Sequence, residues 1–355
     1  MENNKNLFDV INKLVRLNIF LIFIIFLLVI FVFIYTKPLI SLEEKTLSAN
    51  FINQKIENTI QAPKEEFWKE PDISSAFDSN EQKKLQYGFD LIVHTSNYFG
   101  PNGTVKKNAT NGMNCQNCHL DAGTKIYGNN YSAVASTYPK YRARSGSTEN
   151  LYKRVNDCFE RSLNGNPLNE KSLEMQSILA YINFLGKDVP KGEKPNGSGF
   201  KDLAFLERAC NPENGKLVYQ QKCQSCHQKN GEGQLTEDKN SYQYPPLWGN
   251  NSYNDGAGLY RISNFAKYVK YNMPLGVSYD NTQLTDEESW DVAAFVNSMP
   301  RPKKNISKDW PNVNEKPFDH PFGPFVDGFD EKQHKYGPYK PIQTKLKELN
   351  KSKKS

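Results

Sequence analysis

Cys115-Gln-Asn-Cys118-His119 recurs in the second half of the chain as Cys223-Gln-Ser-Cys226-His227. Cys-x-x-Cys-His is the attachment motif of c-type haem. Its thiols bond to the haem vinyl groups, and the adjacent histidine binds the iron. Zinc and thioredoxin-like sites also use Cys-x-x-Cys, so one copy is a moderately specific signal and two copies are a strong one. The sequence therefore predicts two covalently bound haems c, in preference to zinc sites or a pair of disulfides.

The sequence around the two motifs repeats as well. A short helical pattern carrying a glycine precedes each motif, with Gly88 in the first copy and Gly215 in the second. An amphipathic helix follows each motif, with Ala180-Tyr-Ile-Asn183 and Ala294-Phe-Val-Asn297 at matching positions. The alternation typical of strands is not sustained anywhere. We therefore expect an all-α chain with two tandem helical domains and long loops.

The N-terminus carries an unbroken apolar run from Ile19 to Tyr35. At about 1.5 Å per residue, a helix of this length can just span a hydrocarbon core of ~30 Å. Lys5, Lys13 and Arg16 precede the run, which favours a cytoplasmic N-terminus. A signal peptide would have a shorter apolar core and an A-x-A-like cleavage site. We expect an uncleaved, single-pass anchor in the inner membrane, with the haem domains in the periplasm, where haem c is attached.

Proline, glycine and lysine mark the predicted boundaries. Pro63 and Pro71 interrupt a polar stalk, Lys187–Ser198 has the composition of a linker, and the chain beyond Pro300 is rich in proline. The net charge of +6 is too small to indicate nucleic acid by itself. The predicted parts are a cytoplasmic N-terminus (1–16), a transmembrane helix (17–37), a stalk (38–72), a haem 1 domain (73–195), a haem 2 domain (196–305) and an extension with a Lys-rich tail (306–355).

The repeat also locates candidates for the second ligand of each iron. Met273 lies just before Pro274 on a predicted loop, and thioether is a common haem ligand. Met273 lies 21 residues before Ala294 of the second matching helix, and Cys158 lies 22 residues before Ala180 of the first. Cys158 therefore occupies the equivalent position in the first copy. Beside His119 and His227, the candidates for the second iron ligand are therefore Cys158 in the first domain and Met273 in the second.

Cys158 could also be an ordinary buried thiol, since free cysteine often packs as a small apolar residue. A helix predicted from Ser147 places Arg154, Cys158 and Ser162 on one face, at positions i, i+4 and i+8. A guanidinium close to a thiol stabilises the thiolate, which is both nucleophile and metal ligand. The cationic segment 140–144 adds further positive charge. These neighbours favour a functional Cys158.

The remaining histidines and the sixth cysteine give weaker signals. His94, His320 and His334 are predicted to have packing or surface roles. Cys210 could be a buried thiol or pair with another cysteine, and the sequence assigns it no specific role.

The segment from Asn114 to Leu168 resembles the dihaem thiosulfate dehydrogenase and tetrathionate reductase family of c-type cytochromes. The resembling pieces are Cys118-His-Leu-Asp-Ala-Gly123, Tyr138-Pro-Lys-Tyr-Arg-Ala-Arg-Ser-Gly146 and Asn156-Asp-Cys-Phe-Glu-Arg-Ser-Leu-Asn-Gly165. These pieces are much more specific than the haem motifs alone. The likeness extends from about Asn80 to Gln343, and the anchor and stalk lie outside it.

The resemblance implies a pair of class I cytochrome c domains, with a catalytic haem 1 ligated by His119 and Cys158 and an electron-relay haem 2. It also implies that Arg144, Arg154 and Ser162 occupy the substrate-binding positions, and it aligns Gln333 with a further active-site position. Some relatives have a lysine immediately before the methionine ligand. This chain has Asn272 there, so ligation by Met273 is the expectation.

The activity implied is the interconversion of two thiosulfates and tetrathionate, with electrons exchanged with a cytochrome partner or the membrane electron-transfer chain. Arginine suits such dianions because its planar fork gives several charge-assisted hydrogen bonds. Cys158 would form an adduct with thiosulfate that a second thiosulfate resolves. Three alternatives are a dihaem electron carrier without its own substrate, the haem subunit of a sulfur-oxidising complex, and a dihaem peroxidase. The direction of the reaction stays open.

Overall fold

The structure is a computed structural model, and it describes residues 13–35, 66–76 and 78–352. The chain forms two compact units, Met1–Glu65 and Glu66–Ser355. Most of the predicted cytoplasmic N-terminus and stalk lies outside the described residues.

The described residues form thirteen α-helices, four short 3₁₀ helices and two small hairpins. The helices are α1 (Lys13–Tyr35), α2 (Ser79–Val93), α3 (Thr95–Phe99), α4 (Leu120–Gly123), α5 (Val134–Thr137), α6 (Leu151–Arg161), α7 (Leu173–Leu185), α8 (Pro212–Lys222), α9 (Gln224–His227), α10 (Ile262–Asn272), α11 (Asp286–Ser298), α12 (Glu331–Tyr336) and α13 (Tyr339–Ser352). The strands are β1 (Lys140–Arg142), β2 (Ser147–Glu149), β3 (Gln234–Leu235) and β4 (Tyr242–Tyr244), paired antiparallel as β1–β2 and β3–β4.

Helix α1 forms the described part of the N-terminal unit. It runs for 23 residues and buries none of its apolar side chains within the protein. Its length and composition are sufficient to cross a membrane. A signal sequence near an N-terminus has the same properties, so the helix fits either role.

Each half of the second unit is built on one pair of crossing helices, α2 with α7 and α8 with α11. A glycine lies at each crossing. A Cβ on Gly88 would lie 2.2 Å from the Ser177 carbonyl oxygen, and one on Gly215 would lie 1.9 Å from that of Asp291. The helix backbones therefore approach more closely than any side chain at these positions allows. The predicted pair of helical domains is confirmed, and the repeated glycines hold equivalent positions in it.

Side-chain caps fix where the principal helices begin. Asp78 accepts hydrogen bonds from the first turn of α2, and Asn150 accepts one from the Lys153 amide at the start of α6. Thr285 and Glu288 form a reciprocal capping box on α11. The helix predicted from Ser147 therefore begins at Leu151 instead. Residues 147–149 pair with β1, and Asn150 turns the chain into α6.

Two apolar cores lie inside the unit. The first surrounds Phe159 and Met175, and the second surrounds Trp290. Tyr253 and Tyr260, from the predicted haem 2 domain, pack in the first core. The two halves of the repeat are therefore joined by shared packing as well as by the linker.

The C-terminal extension is more ordered than its proline content indicates. Helix α13 begins at Tyr339, and Pro341 lies in its first turn, where proline is tolerated. Tyr339 and Ile342 are buried in the second core. Upstream, both oxygens of the Asp309 carboxylate accept hydrogen bonds of 2.8 Å from Arg161 of α6. The extension is thus part of the packed unit, which its composition did not reveal.

Candidate haem sites and substrate pocket

A partly open cavity lies in the first domain. The first Cys-x-x-Cys-His motif and the functional face of α6 both line it. The predicted site residues on its wall are Cys115, Cys118, His119, Arg154, Cys158 and Ser162. The structure therefore brings together six residues that the sequence placed in one site, although they belong to two separate segments.

His119 is held in the orientation that an iron ligand needs. Its Nδ1 lies 2.5 Å from the Asn129 carbonyl oxygen, and its ring stacks on Tyr131 with 4.5 Å between the centroids. Burial lowers the pKa of His119 to about 4, so the imidazole is neutral near pH 7. With Nδ1–H donating to the carbonyl, the lone pair of Nε2 is free for a metal.

A second cavity is lined by Cys223, Cys226, His227 and Met273. His227 repeats the arrangement of the first site, with Nδ1 lying 2.8 Å from the Pro245 carbonyl oxygen. Burial lowers its pKa as well. Met273 follows the last residue of α10 directly, so the second predicted ligand lies on the wall of the same cavity.

The state of the cysteines fits haem attachment better than zinc or disulfide chemistry. None of the six is paired in a disulfide. Before haem attachment, burial raises the pKa of the Cys115, Cys118 and Cys223 thiols to about 12. Among the described residues, no group of three or more His, Cys, Asp or Glu side chains is arranged to hold a metal ion by itself. The two motifs therefore fit covalently held haem, with one histidine directed into each cavity.

The two cavities share a wall. Asn114 and Cys118 line both of them, and Leu120 of the first domain lines the second cavity. The Tyr268 hydroxyl donates a 2.8 Å hydrogen bond to the Asn117 carbonyl across this junction. The two haem sites are therefore immediate neighbours within one packed unit.

Positive charge is concentrated next to Cys158. The electrostatic interaction with Cys158 raises the pKa of Arg154 above its usual range, against the opposite effect of burial. Burial, helped by Arg161 and Arg154, lowers the pKa of Arg144 to about 10, so Arg144 also stays charged near pH 7. Arg144 does not line the cavity itself. Its guanidinium lies 5.7 Å from the ring centre of Trp310, which belongs to the C-terminal extension.

The remaining candidates lie elsewhere. Gln333 is in α12, where its Nε2 donates to the Pro338 carbonyl at 3.2 Å, and it does not line the first cavity. His334 is buried, with Nε2 3.1 Å from Asp327. His94 lies at the edge of the second cavity. Cys210 is buried, and burial raises its pKa to about 12, so it is a packed, unreactive thiol.

Tyr131 and Tyr138 complete the wall of the first cavity, and sequence reasoning did not single them out. Tyr138 opens one of the segments that carry the family resemblance. Its spacing from the haem motif and from Cys158 gives no sign that it faces the same cavity, so only the folded chain reveals it.

Two family profiles match the chain. One, described as SoxA/TsdA, cytochrome c domain, matches residues 105–190. The other, described as Cytochrome c, matches residues 212–300. Each match contains one Cys-x-x-Cys-His motif. The predicted pair of cytochrome c domains with two covalently bound haems c is therefore confirmed.

Several similar proteins share one description. A thiosulfate dehydrogenase of Psychrobacter arcticus is 37% identical over 246 residues, which cover 69% of this chain and 72% of the relative. One of Allochromatium vinosum is 40% identical over 196 residues, covering 54% and 71%. The solved thiosulfate dehydrogenase (TsdBA) of Marichromatium purpuratum matches with a TM-score of 0.62 and 28% identity, over 67% of this chain and 50% of that chain. Sequence and fold point to the same group of proteins.

Proposed function

Because the chain belongs to the thiosulfate dehydrogenase family, we propose that it interconverts two thiosulfates and tetrathionate with the exchange of two electrons. Membership confirms the resemblance found in the sequence and makes the chain an oxidoreductase with two haems c. One observation carries the proposal: Cys158 shares a cavity with the first haem motif, with Arg154 and with Ser162. An electron carrier without its own substrate has no need of a cationic pocket beside a thiol.

The residues proposed to hold the haems divide between the two cavities. Haem 1 would be held by Cys115, Cys118 and His119, with Cys158 as its second iron ligand, and haem 2 by Cys223, Cys226, His227 and Met273. When bound, the two haems would take up or supply the electrons of the reaction one at a time.

The chain's own residues would bind the anion and carry the sulfur chemistry. Arg154, supported by Arg144, attracts a dianion and stabilises negative charge on the Cys158 sulfur. Ser162 caps the end of α6 one turn beyond Cys158, and its hydroxyl can donate to a sulfonate oxygen. A cationic pocket shielded from water strengthens each of these interactions.

The covalent step would take place at Cys158. After releasing the iron, its thiolate would form a sulfur–sulfur bond with the sulfane sulfur of one thiosulfate, and the two electrons released would pass to the external electron acceptor by way of the haem sites. A second thiosulfate then attacks that sulfane sulfur, the bond to Cys158 breaks, and tetrathionate departs with the thiolate restored. Run backwards, the same steps reduce tetrathionate to two thiosulfates. Gln333 stays a prediction for this site, since its described contacts are with Pro338.

The shared wall of the two cavities supports a direct route for electrons. Asn114 and Cys118 line both sites, so electrons would pass between haem 1 and haem 2 within one packed unit. The external partner for these electrons would be a c-type cytochrome or the membrane electron-transfer chain. We further propose that α1 anchors the chain in the inner membrane, with both haems on the periplasmic side.

The test is turnover by the purified two-haem protein in both directions. Thiosulfate is added with ferricyanide as electron acceptor, and tetrathionate is added to protein reduced with viologen, with haem spectra recorded throughout. Turnover in either direction supports the proposal, and the ratio of the two rates gives the preferred direction. Intact spectra with no turnover in either assay would contradict it and favour the electron-carrier alternative.

A further inference from the structure

Tyr138 carries a hydroxyl whose hydrogen-bonding capacity is unused. The side chain is 9% exposed, and its hydroxyl oxygen is buried without a partner among the described residues. Buried hydroxyls in proteins are nearly always hydrogen-bonded, because desolvation without a partner is unfavourable. An unpaired one on the wall of a ligand cavity therefore indicates a partner that arrives with a ligand.

The cavity concerned is the first one, where Tyr138 shares the wall with Arg154, Cys158 and Ser162. Burial raises the pKa of Tyr138, with Arg154 and Arg142 acting in the opposite direction. The phenol therefore keeps its proton near pH 7 and is available as a donor. A phenol can also accept a hydrogen bond, but the neighbouring arginines favour a ligand with negative charge, to which the phenol would donate.

Backbone contacts hold Tyr138 in place. Its amide donates to the Val134 carbonyl at 3.2 Å, which ends α5. Its own carbonyl accepts a hydrogen bond from the ammonium of Lys191, which also donates to the Ala135 carbonyl at 3.3 Å. A donor fixed in this way loses little freedom when a ligand binds, so its hydrogen bond contributes fully to affinity.

We propose that the Tyr138 hydroxyl donates a hydrogen bond to a sulfonate oxygen of the substrate bound at Cys158, which makes Tyr138 a further substrate-binding residue. The proposal rests on the proposed function for the identity of the anion. A carboxylate of the haem in the same cavity could also accept this hydrogen bond. The experiment below distinguishes the substrate sulfonate from the haem carboxylate.

The experiment compares Tyr138→Phe with the unsubstituted protein, both carrying two haems. The first readout is the dissociation constant of dithionate, measured by titration calorimetry; dithionate has sulfonate groups but no sulfane sulfur, so it binds without reacting. The others are kcat/KM with thiosulfate or tetrathionate and the midpoint potential of haem 1. Tyr152→Phe is the matched control, because the Tyr152 hydroxyl lies in α6, outside the cavity lining, and donates to the Leu168 carbonyl.

Tyr138→Phe is expected to weaken dithionate binding and lower kcat/KM by about tenfold or more, the usual effect of losing a hydrogen bond to a charged group. The haem 1 potential should stay unchanged, and Tyr152→Phe should alter none of the three. An unchanged dissociation constant for dithionate overturns the proposal. If the haem 1 potential shifts while that dissociation constant stays the same, the Tyr138 hydroxyl instead donates to the haem carboxylate. Weaker dithionate binding in a protein that turns over neither substrate would support the oxyanion contact while refuting the proposed function.

Discussion

At the scale of single residues, the thiol of Cys158 in the first cavity lies near positively charged arginines that suit a dianion. Arg154 and Cys158 lie one turn apart on α6, and Arg144 adds a second guanidinium from the β1–β2 hairpin. Partial burial weakens the screening of these charges by water. The arrangement suits the proposed binding of a dianion beside the Cys158 sulfur.

Arg154→Gln should raise KM for thiosulfate and for tetrathionate by about 10- to 100-fold, because a charge-assisted contact to the anion is lost. We expect a smaller rise with Arg144→Gln, since Arg144 does not line the cavity. The value of kcat should change little, because the contact exists in both ground and transition states. Steady-state kinetics of the two-haem protein measure both constants.

Lys153→Gln is the control for the arginine variants. Lys153 precedes Arg154 on the same helix and pairs with Asp157 at 2.5 Å, away from the cavity lining. Its replacement should leave KM unchanged. Normal kinetics in both arginine variants would contradict the substrate-pocket assignment.

The sequence predicted part of this site and missed part of it. Arg154, Cys158 and Ser162 could be grouped because helical spacing places i, i+4 and i+8 on one face. Tyr138 could not be added, because whether its hydroxyl is paired depends on chain segments far apart in sequence. Gln333 came from a weakly aligned tail, and its role stays a prediction.

At the scale of secondary-structure elements, the close helix crossings define both domains. Gly215 of α8 lies against the Asp291 carbonyl of α11, and Gly88 of α2 lies against that of Ser177 in α7. The sequence showed the two glycines at equivalent places in the repeat. It did not show that the glycines contact the crossing helices, because the sequence near a residue does not indicate which distant helix that residue touches.

Gly215→Ala should lower the free energy of unfolding by about 1–3 kcal/mol, the usual cost of overpacking. In an isolated helix the same change would be stabilising, since alanine is the better helix former by ~1 kcal/mol. Here the added Cβ would lie 1.9 Å from a backbone oxygen. Denaturation of the two-haem protein with guanidinium chloride measures the free energy of unfolding.

Gly258→Ala serves as the control, because nothing lies within 4 Å of the position of its added Cβ. It should leave stability nearly unchanged. If Gly215→Ala stabilised the protein, the crossing would be looser than described.

The start of α6 and the helix α13 show where local patterns failed. The strands of the β1–β2 hairpin have three residues each, too few to produce a recognisable alternation. The extension contains many prolines, which conceal an apolar face that includes Ile342. In both segments the local sequence pattern only weakly indicates the secondary structure, which is determined by tertiary contacts.

At the scale of the whole molecule, the C-terminal extension packs against both haem domains. Asp309 pairs with Arg161 of the first domain, and Tyr339 is buried in the core of the second. The Trp310 amide donates to the Arg144 carbonyl at 2.7 Å. The extension therefore supports the segment that carries one of the proposed substrate-binding arginines.

Asp309→Ala should lower the free energy of unfolding by about 3 kcal/mol, because it leaves the buried Arg161 guanidinium without its counter-charge. Each side chain of this pair is only 10% exposed. Denaturant titration measures the loss.

Glu207→Ala tests the specificity of that effect. Glu207 pairs with Lys340 of α13, but the two side chains are 79% and 54% exposed. Surface pairs of this kind contribute little, so stability should not change. Equal stability of Asp309→Ala and Glu207→Ala would mean that the extension is not held by the buried pair.

Cys158→Gly in the two-haem protein shows most directly whether the proposed sulfur chemistry takes place at Cys158. Cys210→Gly is the matched control, because Cys210 is the other thiol outside the haem motifs and does not line either haem cavity. Turnover is measured with thiosulfate and with tetrathionate, and haem content and haem 2 reduction are recorded on the same samples.

We predict that Cys158→Gly keeps both haems and a reducible haem 2 but loses turnover in each direction that the unsubstituted protein supports, while Cys210→Gly keeps it. Unchanged turnover in Cys158→Gly, with both haems attached, would contradict the account.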